Sequence, residues 1–272
     1  RKRAELDWED NALLLRIVQR VNGALRRGKD APRYDHVFVD EAQELSPVEL
    51  RVLLDTVRSD SVTLAGDVAQ RILMDNGFSD WKTVLGHLGF ADVQVELLKL
   101  SYRSTFEIIQ FAHRVLGENA DLDARKATRH GVPVELFRFT HTGEAVGFLA
   151  EALRALAHSE PLASIAVVSR YTEQANIYFH GLANAEVPNL RRIAEQEFPF
   201  KPGVDVTDVK QVKGLEFDYV VLVEVTPESY GNDEESRHLL HIAATRTAHQ
   251  LWIMVTGAPS DLVPESLRER GF

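Results

Sequence analysis

Val37-Phe38-Val39-Asp40-Glu41-Ala42-Gln43 is the stretch that most constrains this chain. Three apolar residues, two of them β-branched, read as a buried strand. Two adjacent carboxylates then stand at its C-terminal end. Open parallel sheets gather their ligands at the carboxyl ends of strands. An Asp placed there can hold Mg²⁺, usually through water, and a Glu can orient or deprotonate an attacking water. A surface Asp-Glu pair after a strand is also an ordinary feature, so the order of the motifs downstream decides between the two readings.

The pattern repeats in Val62-Thr63-Leu64-Ala65-Gly66-Asp67, with Gln70 three residues on. Before the first strand, residues 8 to 27 read as a helix, with Leu14, Ile17, Val18, Val21 and Leu25 at helical spacing and Gly28 as its stop. Ser46-Pro47-Val48-Glu49 has the form of a helix start: a Ser cap, Pro at the first position and Glu at the third. Downstream, a strand over 97–104 leads into a helix over 106–116, and 117–131 reads as a long polar loop. Strands are then expected at 134–139, 165–169, 204–209, 219–225 and 251–255, and helices at 144–157, 173–182 and 235–248. Residues 184–204 read as irregular. Such alternation predicts an α/β fold with parallel sheets and crossover helices. A domain boundary is expected near residues 86–93.

Composition narrows the function classes. The chain has 272 residues, enough for two domains. Apolar runs are too short to span a bilayer, so no membrane partner is expected. Cysteine is absent, which excludes disulfides and thiolate metal sites and fits a reducing, cytoplasmic setting. The net charge of −10 is not that of a protein coated in DNA-binding surface, so nucleic-acid contact must be a local groove or lie partly elsewhere. The start, Arg1-Lys2-Arg3, reads as the beginning of a fragment of a longer protein. The ten histidines show no ligand spacing beyond His238 and His241 on one helix.

Four elements join the Asp-Glu strand. They are Gly66-Asp67 with Gln70, then Tyr102-Arg103 opening a helix, then Val212-Lys213-Gly214-Leu215-Glu216-Phe217 before a strand, and Ala244-Thr245-Arg246 inside the late helix. Arginines and a lysine converging on phosphates are what phosphoryl transfer requires, because charge builds on the transferred group. Taken singly, each has a plainer reading as a salt-bridged side chain, a turn or a rim residue.

As an ordered set these motifs resemble the superfamily 1 helicases of the UvrD/Rep/PcrA type over nearly the whole chain. Val37 to Gln43 is similar to motif II (Walker B), Leu64 to Gln70 to motif III, Leu100 to Thr105 to motif IV, Val206 to Leu222 to motif V, and His241 to Thr247 to motif VI. Asp40-Glu41-Ala42-Gln43-Glu44-Leu45-Ser46-Pro47 with Gly66-Asp67-Val68-Ala69-Gln70 resembles most closely the HelD or helicase IV branch. The resemblance implies two RecA-like domains of the P-loop NTPase type: the end of the first over residues 1–88 and the second over 91–272. It implies ATP and Mg²⁺ as cofactors, hydrolysis in an inter-domain cleft, and movement along nucleic acid, with single-stranded DNA as partner. In that reading Asp40 supports Mg²⁺, Glu41 activates water, Gln70 reads the γ-phosphate, and Arg103 and Arg246 contact it from the second domain. Glu216 touches the ribose. Gly66, Asp67, Tyr102, Lys213, Gly214 and Thr245 shape the nucleotide site. Two alternatives stand beside the motor: a HelD-like ATPase that remodels RNA polymerase, and a non-catalytic interaction module.

Departures accompany the matches. The phosphate-binding loop Gly-x-x-x-x-Gly-Lys-Ser/Thr is absent, so this reading needs a Walker A region upstream of residue 1. No base-stacking aromatic follows Gln70, where Arg71, Ile72, Leu73 and Met74 stand. Asp208 in motif V is expected to repel a DNA phosphate. The interval from Arg103 to Gly214 leaves no room for the large inserted domain of UvrD-type enzymes.

Overall fold

The computed structural model describes residues 10–26, 28–31, 33–59, 61–68, 76–98, 100–117, 126–195, 197–212 and 214–270. The chain forms two compact units, Arg1–Glu96 and Leu97–Phe272.

The first unit opens with α1 (Asp10–Asn22). The expected helix to residue 27 stops earlier: the Gly23 amide closes on the Gln19 carbonyl at 3.0 Å. α1 lies on α2 (Pro47–Leu54) through polar contacts. Arg16 pairs with Asp55, and buried Gln19 donates to the Val52 carbonyl at 2.9 Å. Its apolar residues Leu13, Ile17 and Val21 are exposed. β1 (Val37–Val39) and β2 (Val62–Leu64) pair in parallel, Val37 opposite Val62. The Ser46 capping box forms as the sequence predicts. Glu49 N donates to Ser46 Oγ at 3.2 Å, and Ser46 N donates to Glu49 Oε2 at 2.7 Å. Leu50 and Leu54 then pack with Val39, Ala42 and Phe78. Val84 of α3 (Trp81–His87) completes that core, and Asp80 caps this helix through the Thr83 amide at 2.9 Å.

In the second unit β3 (Leu100–Ser101) is shorter than the expected strand and pairs in parallel with β4 (Lys126–Ala127), which lies within the stretch read as loop. α4 (Phe106–Leu116) follows β3 as predicted. The main sheet holds β5 (Glu135–Phe139), β6 (Ser164–Ser169), β7 (Leu190–Arg192), β8 (Gly203–Asp208), β9 (Phe217–Val223) and β10 (Thr247–Thr256). Its order is β5-β10-β9-β6-β8-β7, and all neighbours are parallel. The chain also forms α5 (Thr142–Ser159), α6 (Thr172–Asn184), α7 (Glu234–Thr245) and the short α8 (Glu265–Arg268).

Period-two alternation sorts the strands between two cores. Ala166, Val168, Val220, Leu222, Leu251 and Ile253 face one side with Ile108 and Phe111 of α4 and Leu239 and Leu240 of α7. Ile165, Val167, Val221, Val223 and Met254 face the other with Leu149 and Leu153 of α5 and Tyr178 and Leu182 of α6. Burial on both faces is why these strands read as near-continuous apolar runs.

Two expectations need correction. Residues 184–204 are not wholly irregular, since β7 runs through them. It is a charged edge strand, with Arg191 Nε on Asp205 of β8 at 2.6 Å. The late helix ends at Thr245, so Arg246 caps it rather than lying inside it. The Phe217 amide takes the Arg246 carbonyl at 2.9 Å, and Thr247 pairs with Phe217, which draws the chain from helix into sheet. Among the described residues no helix is long and apolar enough to cross a membrane.

Candidate active site

Two constellations gather the candidate site residues, one in each unit. In the first, Asp40 follows β1, and Glu41 turns sharply in the left-handed region at φ 52°. A non-glycine residue rarely takes that conformation, and such strain persists where the surroundings fix it. Here the fixing groups are visible. The Glu41 amide donates to Asp40 Oδ1 at 2.9 Å, and Gln43 Nε2 donates to Glu41 Oε2 at 2.6 Å. The end of β2 is laced to the same turn. Ala65 N donates to the Val39 carbonyl at 2.8 Å, Ala42 N donates to the Ala65 carbonyl at 2.9 Å, and Asp67 N donates to Gln43 Oε1 at 3.0 Å. Gly66 permits this closeness: a Cβ there would stand 2.2 Å from Gln43 Oε1. Asp40, Glu41, Gly66 and Asp67 are thus brought together. Gln70 lies outside the described residues.

Asp40 is exposed at the strand end, an oxygen donor suited to a hard cation. Among the described residues no group of three or more His, Cys, Asp or Glu is arranged to hold a metal. One carboxylate completed by waters and phosphate oxygens is how Mg²⁺ is usually held at phosphate sites, so Asp40 fits that ion. His241 is buried with Nδ1 3.0 Å from the Ala112 carbonyl, a packing role.

In the second unit three distant segments meet at the amino-terminal ends of β9 and β10. Arg103 pairs with Glu216. Arg246 donates from Nε to the Ile242 carbonyl at 3.2 Å and from Nη1 to the Leu215 carbonyl at 3.5 Å. Ser104 Oγ reaches the Thr247 carbonyl at 2.6 Å, and Arg129 Nη2 clips the carbonyls of Arg103 and Ala248, the latter at 2.8 Å. Gly214 adopts φ +69°, which turns the loop between β8 and β9 onto these partners. Arg103, Gly214, Glu216, Thr245 and Arg246 therefore share one corner, and Tyr102 stands exposed beside Arg103. Thr245 is buried, its hydroxyl bonding back to the Ile242 carbonyl at 2.9 Å. Arg246 is 3% exposed, folded against the protein rather than extended. Lys213 lies outside the described residues.

Asp208 corrects an expectation. It is buried, accepting Thr172 Oγ1 at 3.0 Å and the Lys210 amide at 3.1 Å, so its carboxylate serves the fold instead of facing a ligand. Sequence reasoning missed Gln43 as a bridge and Arg129 as a clip. The amide sits in motif II with no spacing signal of its own, and Arg129 stands in a stretch read as loop.

Residues 203–254 match the UvrD-like helicase C-terminal domain. This UvrD-like segment contains β8, β9, α7 and nearly all of β10, and with them Gly214, Glu216, Thr245 and Arg246. The chain is also similar to the ATP-dependent DNA helicase UvrD2 of Mycobacterium bovis and of Mycobacterium tuberculosis, 29% identical over 191 residues. That match covers 67% of this chain and spans 27% of the length of those curated relatives. A solved structure, the C-terminal domain of a possible DNA helicase from Lactobacillus plantarum, is 25% identical. It aligns at a TM-score of 0.50, covering 61% of this chain and 96% of that one. The family match and the curated relatives carry the UvrD name rather than that of the HelD branch.

Proposed function

We propose that this chain is part of an ATP-dependent superfamily 1 DNA helicase or translocase of the UvrD-like type. The observation that carries the reading is the corner of the second unit, where Arg103, Glu216 and Arg246 are gathered from three distant segments, two of them in the UvrD-like match. In this reading the second unit supplies arginines to the charge that develops on the transferred phosphoryl group. The first unit supplies Asp40 for Mg²⁺ and Glu41 for the attacking water. The phosphate-binding loop comes from another part of the whole protein, and the released energy drives movement along single-stranded DNA. The comparisons name DNA helicases, and nothing in them supports RNA polymerase as the target.

The test is steady-state ATP hydrolysis by the whole protein, with and without single-stranded DNA, beside Glu41→Gln. Mg²⁺-dependent turnover raised by DNA and lost in the variant is expected. Turnover indifferent to DNA would refute the nucleic-acid motor and leave an ATPase with a protein target. No turnover at all would leave an interaction module.

A further inference from the structure

Gln43 is 1% exposed, and both ends of its amide are engaged. Nε2 donates to Glu41 Oε2 at 2.6 Å, and Oε1 accepts the Asp67 amide at 3.0 Å. Its main-chain carbonyl accepts Asn76 Nδ2 at 2.8 Å, which anchors the residue itself. The side chain therefore spans from the carboxylate after β1 to the backbone after β2. Only an amide meets both demands at this length, a donor toward a carboxylate and an acceptor toward an N–H. A carboxylate in its place would set like charge against Glu41. The space is equally specific, because any side chain at Gly66 would collide with Gln43 Oε1, 2.2 Å from a Cβ.

We propose that Gln43 is a positioning residue for hydrolysis: it fixes the Glu41 carboxylate and ties it to the Gly66-Asp67 backbone, so that the two strand ends move as one body. This rests on the reading of Glu41 as the water-activating carboxylate. Glu41 alone, on a left-handed turn, has a rotatable carboxylate arm, and the bond from Gln43 gives that arm one direction. A displacement of about 1 Å in a reacting group costs on the order of a hundredfold in rate. A group that acts only by orienting the base affects the transition state and not the binding of ATP.

The experiment is steady-state ATP hydrolysis by the whole protein for wild type, Gln43→Glu, Gln43→Met, Gly66→Ala and Glu41→Gln, with thermal unfolding to report folding. The Gln43 variants should lose about ten- to a hundredfold in kcat, with KM for ATP within about twofold. Gly66→Ala keeps Gln43 but displaces its amide, so it should lose kcat in the same way. It carries the test if a Gln43 variant fails to fold. Folded Gln43 variants with wild-type kcat, beside an inactive Glu41→Gln, would overturn the positioning role and leave the ATPase reading standing. So would a raised KM at unchanged kcat. Turnover that survives Glu41→Gln would overturn both.

Discussion

Arg103→Ala separates chemistry from folding more cleanly than any other change at the corner of the second unit. The Arg103 guanidinium pairs with Glu216, and the two side chains are 42% and 50% exposed. Exposed pairs contribute about 0–1 kcal/mol, which for a unit of this size is at most about 4 °C in Tm. The Arg103 carbonyl that Arg129 holds survives the substitution. An arginine placed on a transferring phosphoryl group is worth roughly 10³–10⁵ in turnover, or about 4–7 kcal/mol of barrier. The two effects differ by several kcal/mol and cannot be mistaken for each other. Arg246→Ala lacks that clarity. Arg246 is buried and donates to the Ile242 and Leu215 carbonyls, so its loss strips partners from buried groups at about 1–3 kcal/mol each. The assay is ATP hydrolysis by the whole protein with saturating single-stranded DNA, paired with thermal unfolding. Turnover for Arg103→Ala within about tenfold of wild type would refute its contact with the transferred phosphoryl group, because that is at least a hundredfold short of the effect expected. A Tm lower by much more than about 4 °C would refute the claim that its ion pair is structurally minor.

Tyr178→Phe removes the hydroxyl that donates to buried Glu224 at 2.8 Å, leaving Thr256 Oγ1 at 2.5 Å on the other oxygen. Hydrogen bonds to charged groups contribute about 1.5–3 kcal/mol, so the urea midpoint should fall by that equivalent with m unchanged; an unmoved midpoint counts against the bond. The Glu107 carboxyl is held at about 2, below its ordinary 4.5. Partial burial, the largest influence, pushes it up, but bonds from His130 at 3.0 Å and the Gly131 amide at 2.9 Å outweigh it. The folded value lies below the unfolded one, so the stabilisation is whole above pH 4.5 and drains away as pH falls toward 2. Glu107→Gln should therefore approach wild-type stability across that window in acid unfolding, and a gap that stays constant through it would contradict the assignment.

The sheet was legible because its strands are buried on both faces. Ile165 to Val168 and Val220 to Val223 alternate between two cores, and apolar runs of that kind survive any reading frame. The edge was not legible. β7 is Leu190-Arg191-Arg192, and its strand character comes from pairing with β8 and from Arg191 folding onto Asp205, which are tertiary facts. α1 shows the opposite failure. Its stripe of Leu13, Ile17 and Val21 has helical spacing, yet these residues are exposed, and the helix is held by Arg16 and Gln19 instead. At the candidate site the motif residues could be named from sequence, but their duties could not. Asp208 reads as a charge facing a ligand and is in fact spent on Thr172 and Lys210.

That last case has a general form in the second unit. The rule that ligands gather at carboxyl ends of parallel strands picks out Asp40 and Glu41 in the first unit. In the second unit three polar residues at the carboxyl ends are engaged by the fold itself. Asp208 at the end of β8 holds Thr172, Glu224 after β9 holds Tyr178 and Thr256, and Arg170 after β6 lies over the rings of Tyr171 and Tyr230 at 5.7 and 5.4 Å. The residues proposed to meet the phosphoryl group stand near the opposite ends, where β9 and β10 begin. There Phe217 N binds the Arg246 carbonyl, and Asp218 accepts Ser164 N and Oγ, each at 2.8 Å, to lock the start of β9 to β6. Beside that strand start Arg103 pairs with Glu216, and Arg246 donates to the Ile242 and Leu215 carbonyls. Substitutions of Asp208 and Glu224 at the carboxyl ends of this sheet should therefore act first on stability, whereas that of the half-exposed Arg103 beside the amino ends should act first on turnover.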